Sequence, residues 1–222
     1  MYKIVKKRVL NESVCLMDVE APRCAAHCKP GQFVIVRTDD GAERIPLTVC
    51  DYDAGKGTVT IGFQIVGATT LRMKGLSEGD YFRDFVGPLG RPSELVDETA
   101  DALRAKKILF VAGGLGTAPV YPQVKYLHGL GVDADVIIGA KNKDLLIMED
   151  EMKAVAGNSY VTTDDGSYGR SGMVTKVIQD LYDEGHKYDL CIAIGPMIMM
   201  KFVCKLTREL DLPTIVSMNP IM

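Results

Sequence analysis

Three glycine-bearing segments of this 222-residue chain have the make-up of loops that hold a phosphate. The first, VAGGLGTAP (111–119), leaves an apolar run through Gly113, Gly114 and Gly116 and reaches Thr117. Glycines permit a tight turn and let main-chain N–H groups approach an anion, and a helix opening there adds the positive end of its dipole. Pro119 suits the first turn of such a helix. The spacing is not GxGxxG, because Pro119 stands where the third glycine would be. A tight turn with no ligand is the competing reading. DDGSYGRSG (164–172) and IGPMIMM (194–200) repeat the glycine-rich theme, although Met197, Met199 and Met200 read first as core packing. Earlier in the chain, RIPLT (44–48) sets the Arg44 charge and the Thr48 hydroxyl around a proline, and GATT (67–70) is a second candidate cradle at a helix start. Cys24, His27 and Cys28 bring three potential metal ligands together within five residues of APRCAAHCKPGQF. A closed zinc site needs a fourth ligand, so free buried thiols are the alternative. No iron–sulfur spacing occurs.

The elements that must position these residues change character near residue 100. Before it, 2–9, 13–19, 32–38, 44–52, 57–66 and 80–88 read as short strands divided by turn residues, with one short helix at 68–74. Such a series builds a small antiparallel barrel or sandwich. SELVDETADALRA reads as the linker. After it, strands at 106–113, 134–140, 158–163, 189–194 and 213–217 alternate with helices at 117–130, 149–157, 172–184 and 197–210. That alternation means a doubly wound parallel sheet, in which ligands lie outside the carboxyl ends of strands. All three glycine-rich loops leave strands at that end. The expected domains are 1–99 and 100–222.

Composition excludes several classes. Hydrophobic residues at 47% and charged residues at 25% are ordinary globular usage. A net charge of −3 argues against a nucleic-acid partner. No apolar run reaches the ~20 residues of a membrane span, and the N-terminus has no signal-peptide core, so the expected location is cytoplasmic.

The ordered set RIPLT, FQIVGATT (63–70), GPLG (87–90), GGLGTAP, DDGSYGRSG, IGPMIMM and SMNPIM (217–222) resembles the ferredoxin–NADP reductase superfamily along essentially the whole chain. More narrowly it is similar to the group holding the dihydroorotate dehydrogenase electron-transfer subunit and the small subunit of NADH-dependent reduced ferredoxin:NADP oxidoreductase. The resemblance implies β + α/β architecture: an N-terminal antiparallel Greek-key β-barrel for FAD, then a doubly wound parallel-sheet domain for NAD(P)H. It implies a flavoprotein oxidoreductase that passes a hydride between NAD(P)H and FAD, then electrons to an iron–sulfur carrier, ferredoxin or a larger partner subunit.

By the same resemblance, Pro46, Leu47 and Thr48 line the isoalloxazine, with Thr48 as the catalytic candidate at its reactive edge. Phe63, Gln64 and Ile65 flank the ribityl and phosphate portion, and Thr69 and Thr70 hold the pyrophosphate. Gly113, Gly114, Gly116 and Thr117 receive the nucleotide's phosphates. Asp165 and Gly166 border its crevice, while Gly195, Pro196 and Met197 place the nicotinamide.

Three departures stand against the pattern. Arg44 lies four residues before Thr48 with no tyrosine between, which argues against an Arg44–phosphate contact. Ile194 replaces the superfamily's cysteine before Gly-Pro. The chain stops at Met222, before the relatives' [2Fe–2S] segment, so no metal or cluster is expected in it. Lys141 and Lys143 can meet a 2′-phosphate, but the family branch favours NADH. A non-catalytic flavin-bearing docking subunit and a free-flavin reductase are the alternatives.

Overall fold

The computed structural model describes residues 1–218; Asn219 to Met222, the end of SMNPIM, lie outside the described residues. The chain divides into two compact units, Met1–Asp97 and Glu98–Met222.

The first unit contains β1 (Tyr2–Val9), β2 (Val14–Glu20), α1 (Pro22–Ala25), β3 (Phe33–Arg37), β4 (Ile45–Asp53), β5 (Thr58–Gln64), α2 (Ala68–Gly75), β6 (Tyr81–Phe82) and β7 (Asp84–Leu89). They form one antiparallel sheet in the order β6-β1-β2-β5-β4-β3-β7. The run β3-β4-β5 with β2 returning beside β5 is a Greek key. The sheet's two edge strands are neighbours in the chain: β6 pairs with β1, β7 pairs with β3, and Arg83 alone separates them. The Arg83 N–H donates to the Arg37 carbonyl at 2.8 Å, so the sheet curls into a nearly closed barrel. The single strand expected over 80–88 is therefore two, because the closing segment must change partners midway. Strand alternation sends Cys15, Met17 and Val19, Val34 and Val36, and Val59, Ile61 and Phe63 to the interior. Met73 of α2 caps that core.

The second unit contains α3 (Ala100–Arg104), β8 (Ile108–Gly113), α4 (Thr117–Gly129), β9 (Asp135–Ala140), α5 (Glu149–Lys153), β10 (Asn158–Thr163), β11 (Arg170–Ser171), α6 (Val174–Asp183), β12 (Leu190–Ile194), α7 (Met197–Glu209) and β13 (Thr214–Val216). The sheet is parallel, ordered β11-β10-β9-β8-β12-β13. β8 is buried along its whole length, as an all-apolar strand covered on both faces must be. From β8 the chain first winds outward through β9 and β10, then returns to β12 on the other side. The reversal puts the topological switch point between the loops after β8 and β12, where doubly wound proteins bind ligands.

Part of the expected linker is ordered. Glu94–Asp97 forms a 3-10 turn with Leu95 buried, and α3 follows with Leu103 buried. The Thr99 hydroxyl caps α3 by accepting the Ala102 N–H at 3.2 Å. The helix expected over 149–157 ends at Lys153, and the two-residue β11 extends the sheet beyond the strands read from the sequence. Among the described residues no helix is long and apolar enough to cross a membrane.

Candidate functional site

In the first unit the residues of interest gather where β4 changes partner. Its first half pairs with β3, Phe33 opposite Thr48 and Ile35 opposite Pro46. From Val49 onward it pairs with β5, beginning at Ile61. Pro46, Leu47 and Thr48 therefore lack a β5 partner, and Gly62, Phe63 and Gln64 lack a β4 partner. The two strands diverge, and their main chains and outward side chains line the opening between them.

Period-two alternation decides which side chains face it. Pro46 and Gln64 are exposed and Thr48 is half-buried on the outer side. Leu47 and Ile65 instead pack against the barrel core, and Phe63 lies within it at 1% exposure. Leu47, Phe63 and Ile65 thus border the opening through their main chain, while their side chains shape it from beneath.

The start of α2 is a built turn. The Thr70 hydroxyl accepts the N–H groups of Val66 and Gly67 at 3.0 and 3.1 Å and donates to the Gly67 carbonyl at 3.1 Å. That hydroxyl is committed to the turn, which leaves main chain as the anion-facing element. Thr69 donates to Glu43 at 3.4 Å. A Cβ added at Gly67 meets nothing within 4 Å, so the turn is open to an approaching group.

Arg44 is not directed at this turn. Its guanidinium lies 2.7 Å from Asp84, which Arg37 also contacts at 2.7 Å. Desolvation opposes ionisation of Asp84, but the two arginines together hold its carboxyl below the usual range.

In the second unit the glycines divide into two kinds. Gly113 and Gly116 are glycines because another part of the chain lies against them. A Cβ at Gly113 would strike the Met199 sulfur and approach Pro196 Cδ to 3.1 Å. One at Gly116 would strike the Ile194 carbonyl oxygen, with its carbon at 2.7 Å and Gly195 Cα at 2.9 Å. Gly195 meets Gly113 in return, at 3.1 Å. The loops after β8 and β12 are thus locked together at the switch point. Gly114 differs: its φ is +53° and a Cβ there meets nothing within 4 Å. Thr117 is fully buried, and its hydroxyl donates to the Gly114 carbonyl at 3.0 Å, fixing this conformation rather than facing a ligand.

After β12, Pro196 N-caps α7 and is exposed. Met200 is buried and Met199 packs against the core, as core packing requires. Met197 does not follow that reading, with 66% of its surface exposed.

The loop after β10 rests on two threonines that sequence reading passed over. Thr163 Oγ accepts the Tyr168 N–H at 3.0 Å and donates to its carbonyl at 2.8 Å, while Thr162 donates to Gly172 at 2.5 Å. Asp165 accepts the Ser167 N–H at 2.9 Å, and hydrogen bonding from Ser167 keeps its carboxyl below the usual range. Ser167 Oγ accepts the Lys143 N–H at 2.9 Å, joining the loops after β9 and β10. Gly166 adopts φ +73°. Lys141 is exposed, and the Lys143 ammonium lies 5.3 Å from the centre of the Tyr168 ring. The Asn-Lys-Asp spacing after β9, a helix-cap signature, was the available clue to this junction: Asn142 accepts the Leu145 N–H at 3.2 Å.

The cysteine cluster forms no metal centre among the described residues. Cys24 and Cys28 are buried with sulfurs 3.7 Å apart, whereas His27 Nδ1 is 2.8 Å from the Arg23 carbonyl oxygen.

No family model matches the chain. It is 41% identical to the Thermotoga maritima dihydroorotate dehydrogenase B (NAD(+)) electron transfer subunit homolog, over 99% of this chain and 75% of that protein. It is 37% identical to the electron transfer subunit of Fusobacterium nucleatum dihydroorotate dehydrogenase B (NAD(+)), over 81% and 69%. Among solved structures, an NADH-dependent reduced ferredoxin-NADP oxidoreductase matches the whole chain with 77% of its own, at TM-score 0.87 and 39% identity. The cytochrome b5 reductase domain of Ulva prolifera nitrate reductase, at 18% identity and TM-score 0.71, shares the fold over 97% of this chain and 96% of its own.

Proposed function

We propose that this chain, which belongs to the ferredoxin–NADP reductase-like family of flavoprotein electron-transfer subunits, itself oxidises NADH with an FAD held on its barrel. The electrons then pass to an iron–sulfur carrier, either a ferredoxin or a larger partner subunit. The observation that carries the reading is the divergence of β4 from β5 at Val49, which opens main chain and the outward side chains of Pro46, Thr48 and Gln64 beside the α2 turn.

These features fit a flavin nucleotide. A planar ring needs an apolar floor with polar groups at its edge, and a pyrophosphate needs main-chain donors at a helix start. Leu47 and Phe63 stiffen the floor from the core side, Thr48 offers its hydroxyl at the rim, and the Gly67–Thr70 turn offers the anion site. When bound, FAD supplies the exchange of a two-electron hydride for single electrons. The protein's part is to bind and orient: Thr48 donates a hydrogen bond at the flavin edge, and Pro46, lacking an N–H, leaves a flat contact. In the second unit Gly114 offers the close approach that a nucleotide phosphate requires. Asp165, Gly166 and Pro196 border the same sheet end, and Met197 gives an exposed apolar contact for a nicotinamide ring. No side chain needs to move a proton in the hydride step.

The preference for NADH is supported by the NAD(+) in the relatives' names. Six free cysteines fit a reducing, cytoplasmic setting.

Anaerobic titration of the purified chain with NADH and NADPH, followed by flavin absorbance, tests the reading. Bleaching by NADH at lower concentration than by NADPH is expected. A yellow chain that neither nucleotide bleaches would establish a second reading, favoured by the relatives' naming as subunits, in which the flavin is reduced only within a larger assembly. A chain that retains no FAD would overturn both.

A further inference from the structure

Six cysteines are left over from the chemistry above, and two of them are arranged as a unit. Cys24 and Cys28 lie four residues apart across one helical turn, with the Cys28 N–H donating to the Cys24 carbonyl at 2.9 Å. Both side chains turn to the same side, where their sulfurs meet at 3.7 Å. They are buried but not sealed, at 5% and 7% exposure, whereas Cys15, Cys50 and Cys191 are at 0%. A disulfide requires a sulfur separation near 2.05 Å, so closure asks for roughly 1.7 Å of movement. Residues four apart on a helical turn have Cα atoms within disulfide range, and Cys28 lies beyond the last residue of α1.

We propose that Cys24 and Cys28 form a dithiol modification site that hydrogen peroxide converts to a disulfide. A Cys24 thiolate attacks one peroxide oxygen; the O–O bond breaks, water departs after protonation, and Cys24 becomes a sulfenic acid. The Cys28 sulfur then attacks the Cys24 sulfur, the S–S bond forms, the S–O bond breaks, and a second water departs. The two thiols lose two electrons and two protons in all, which reduce the peroxide to two waters. The order of attack follows from the pair itself. Either sulfur can donate the shared S–H···S hydrogen bond; the arrangement in which Cys28 donates lowers the Cys24 thiol and raises that of Cys28, which makes Cys24 the attacking thiolate. Proximity of the second thiol then diverts the sulfenic acid to a disulfide before further oxidation.

The site also has a mechanical connection. Lys29, next to Cys28, donates its N–H to the Gln32 side chain at 2.9 Å, and that side chain donates to the Gly90 carbonyl at 3.0 Å. The Gln32 carbonyl accepts the Val49 N–H at 3.0 Å, at the residue where β4 changes partner. Movement of Cys28 therefore pulls on the strand junction that frames the opening in the barrel.

The test is made on the whole reduced chain. Equimolar hydrogen peroxide is added, remaining thiols are alkylated, and tryptic peptides are weighed. Because Lys29 precedes Pro30 and resists trypsin, Cys24 and Cys28 share one peptide ending at Arg37. That peptide should appear unalkylated and lighter by two hydrogens before any other cysteine reacts, and dithiothreitol should reverse the change. A Cys28→Ser chain should instead accumulate a Cys24 sulfenic acid that dimedone traps. Full alkylation of both thiols after peroxide, oxidation no faster than at Cys191, or direct passage to sulfinic acid would each overturn the proposal. The peptide measurement needs no variant, so it stands even if Cys28→Ser folds poorly.

Discussion

Gly114 and Gly116 sit two residues apart in one loop, and their alanine variants should fail in opposite ways. At Gly116 the new methyl falls against Ile194 and Gly195 main-chain atoms, the nearest carbons at 2.7 and 2.9 Å. Main chain has no rotamer to swing aside, so the loops after β8 and β12 must separate. Overpacking of this kind costs about 3 kcal/mol, which for a domain of this size is roughly 10 °C in Tm. At Gly114 the methyl enters open space, and the cost is confined to holding alanine at φ +53°, about 1–2 kcal/mol. That same methyl occupies the surface proposed above for a nucleotide phosphate. NADH affinity should therefore fall at least about tenfold, or ~1.4 kcal/mol. Thermal melts followed by circular dichroism, together with NADH titration of each folded variant, separate the two effects. The reasoning is refuted if Gly116→Ala melts with the parent chain, or if Gly114→Ala binds NADH unchanged.

Other variants test the remaining assignments. Thr48→Ala should slow reduction of the bound flavin by NADH about tenfold, the worth of one hydrogen bond of ~1.4 kcal/mol; an unchanged stopped-flow rate with FAD fully bound would remove Thr48 from the site. Thr70→Val deprives the Val66 and Gly67 N–H groups of their acceptor and should cost about 1 kcal/mol in urea unfolding and weaken FAD binding. Thr70→Ser should restore both, and retention of full stability in the valine variant would show the turn does not depend on that hydroxyl. Asp84 carries a pH signature. Its carboxyl is depressed in the folded chain, so its stabilisation is present above about pH 4, the unfolded value, and is lost as pH falls through the folded value. Asp84→Asn should flatten the acid limb of a urea-midpoint profile, and an unchanged limb would show that other carboxylates govern it.

The sequence made the architecture legible because its strands are short, β-branched and bounded by turn residues. QFVIVRT and GTVTIGFQIV between such turns, and the unbroken apolar run ILFVAG, leave little choice between strand and helix. The linker segment misled because ETADALRA is polar on the surface it shows to solvent, and only Leu95 and Leu103 report its burial. Site residues were harder to read for a physical reason. A glycine letter does not say whether the cause is the chain's own backbone lying against it, as at Gly116, or a positive φ beside open space, as at Gly114. Likewise GATT announces a turn, yet Thr70 spends its hydroxyl within that turn. Leu47 and Phe63 belong to motifs that surround the opening, while the strand pleat turns their side chains away from it.

The closure of the barrel through Arg83 bears on how the chain is made. β1 leaves a ribosome well before residues 81–89, yet one of its edges waits until Tyr2 can meet Phe82. Until then β1 and β3 each present unpaired main chain to their surroundings, an invitation to other nascent chains. Residues 81–89 cover both edges as they arrive, so their synthesis ends that exposure in a single step. A delay before residues 81–89 emerge from the ribosome would prolong it, and one after their emergence would let the barrel complete itself before the second unit follows.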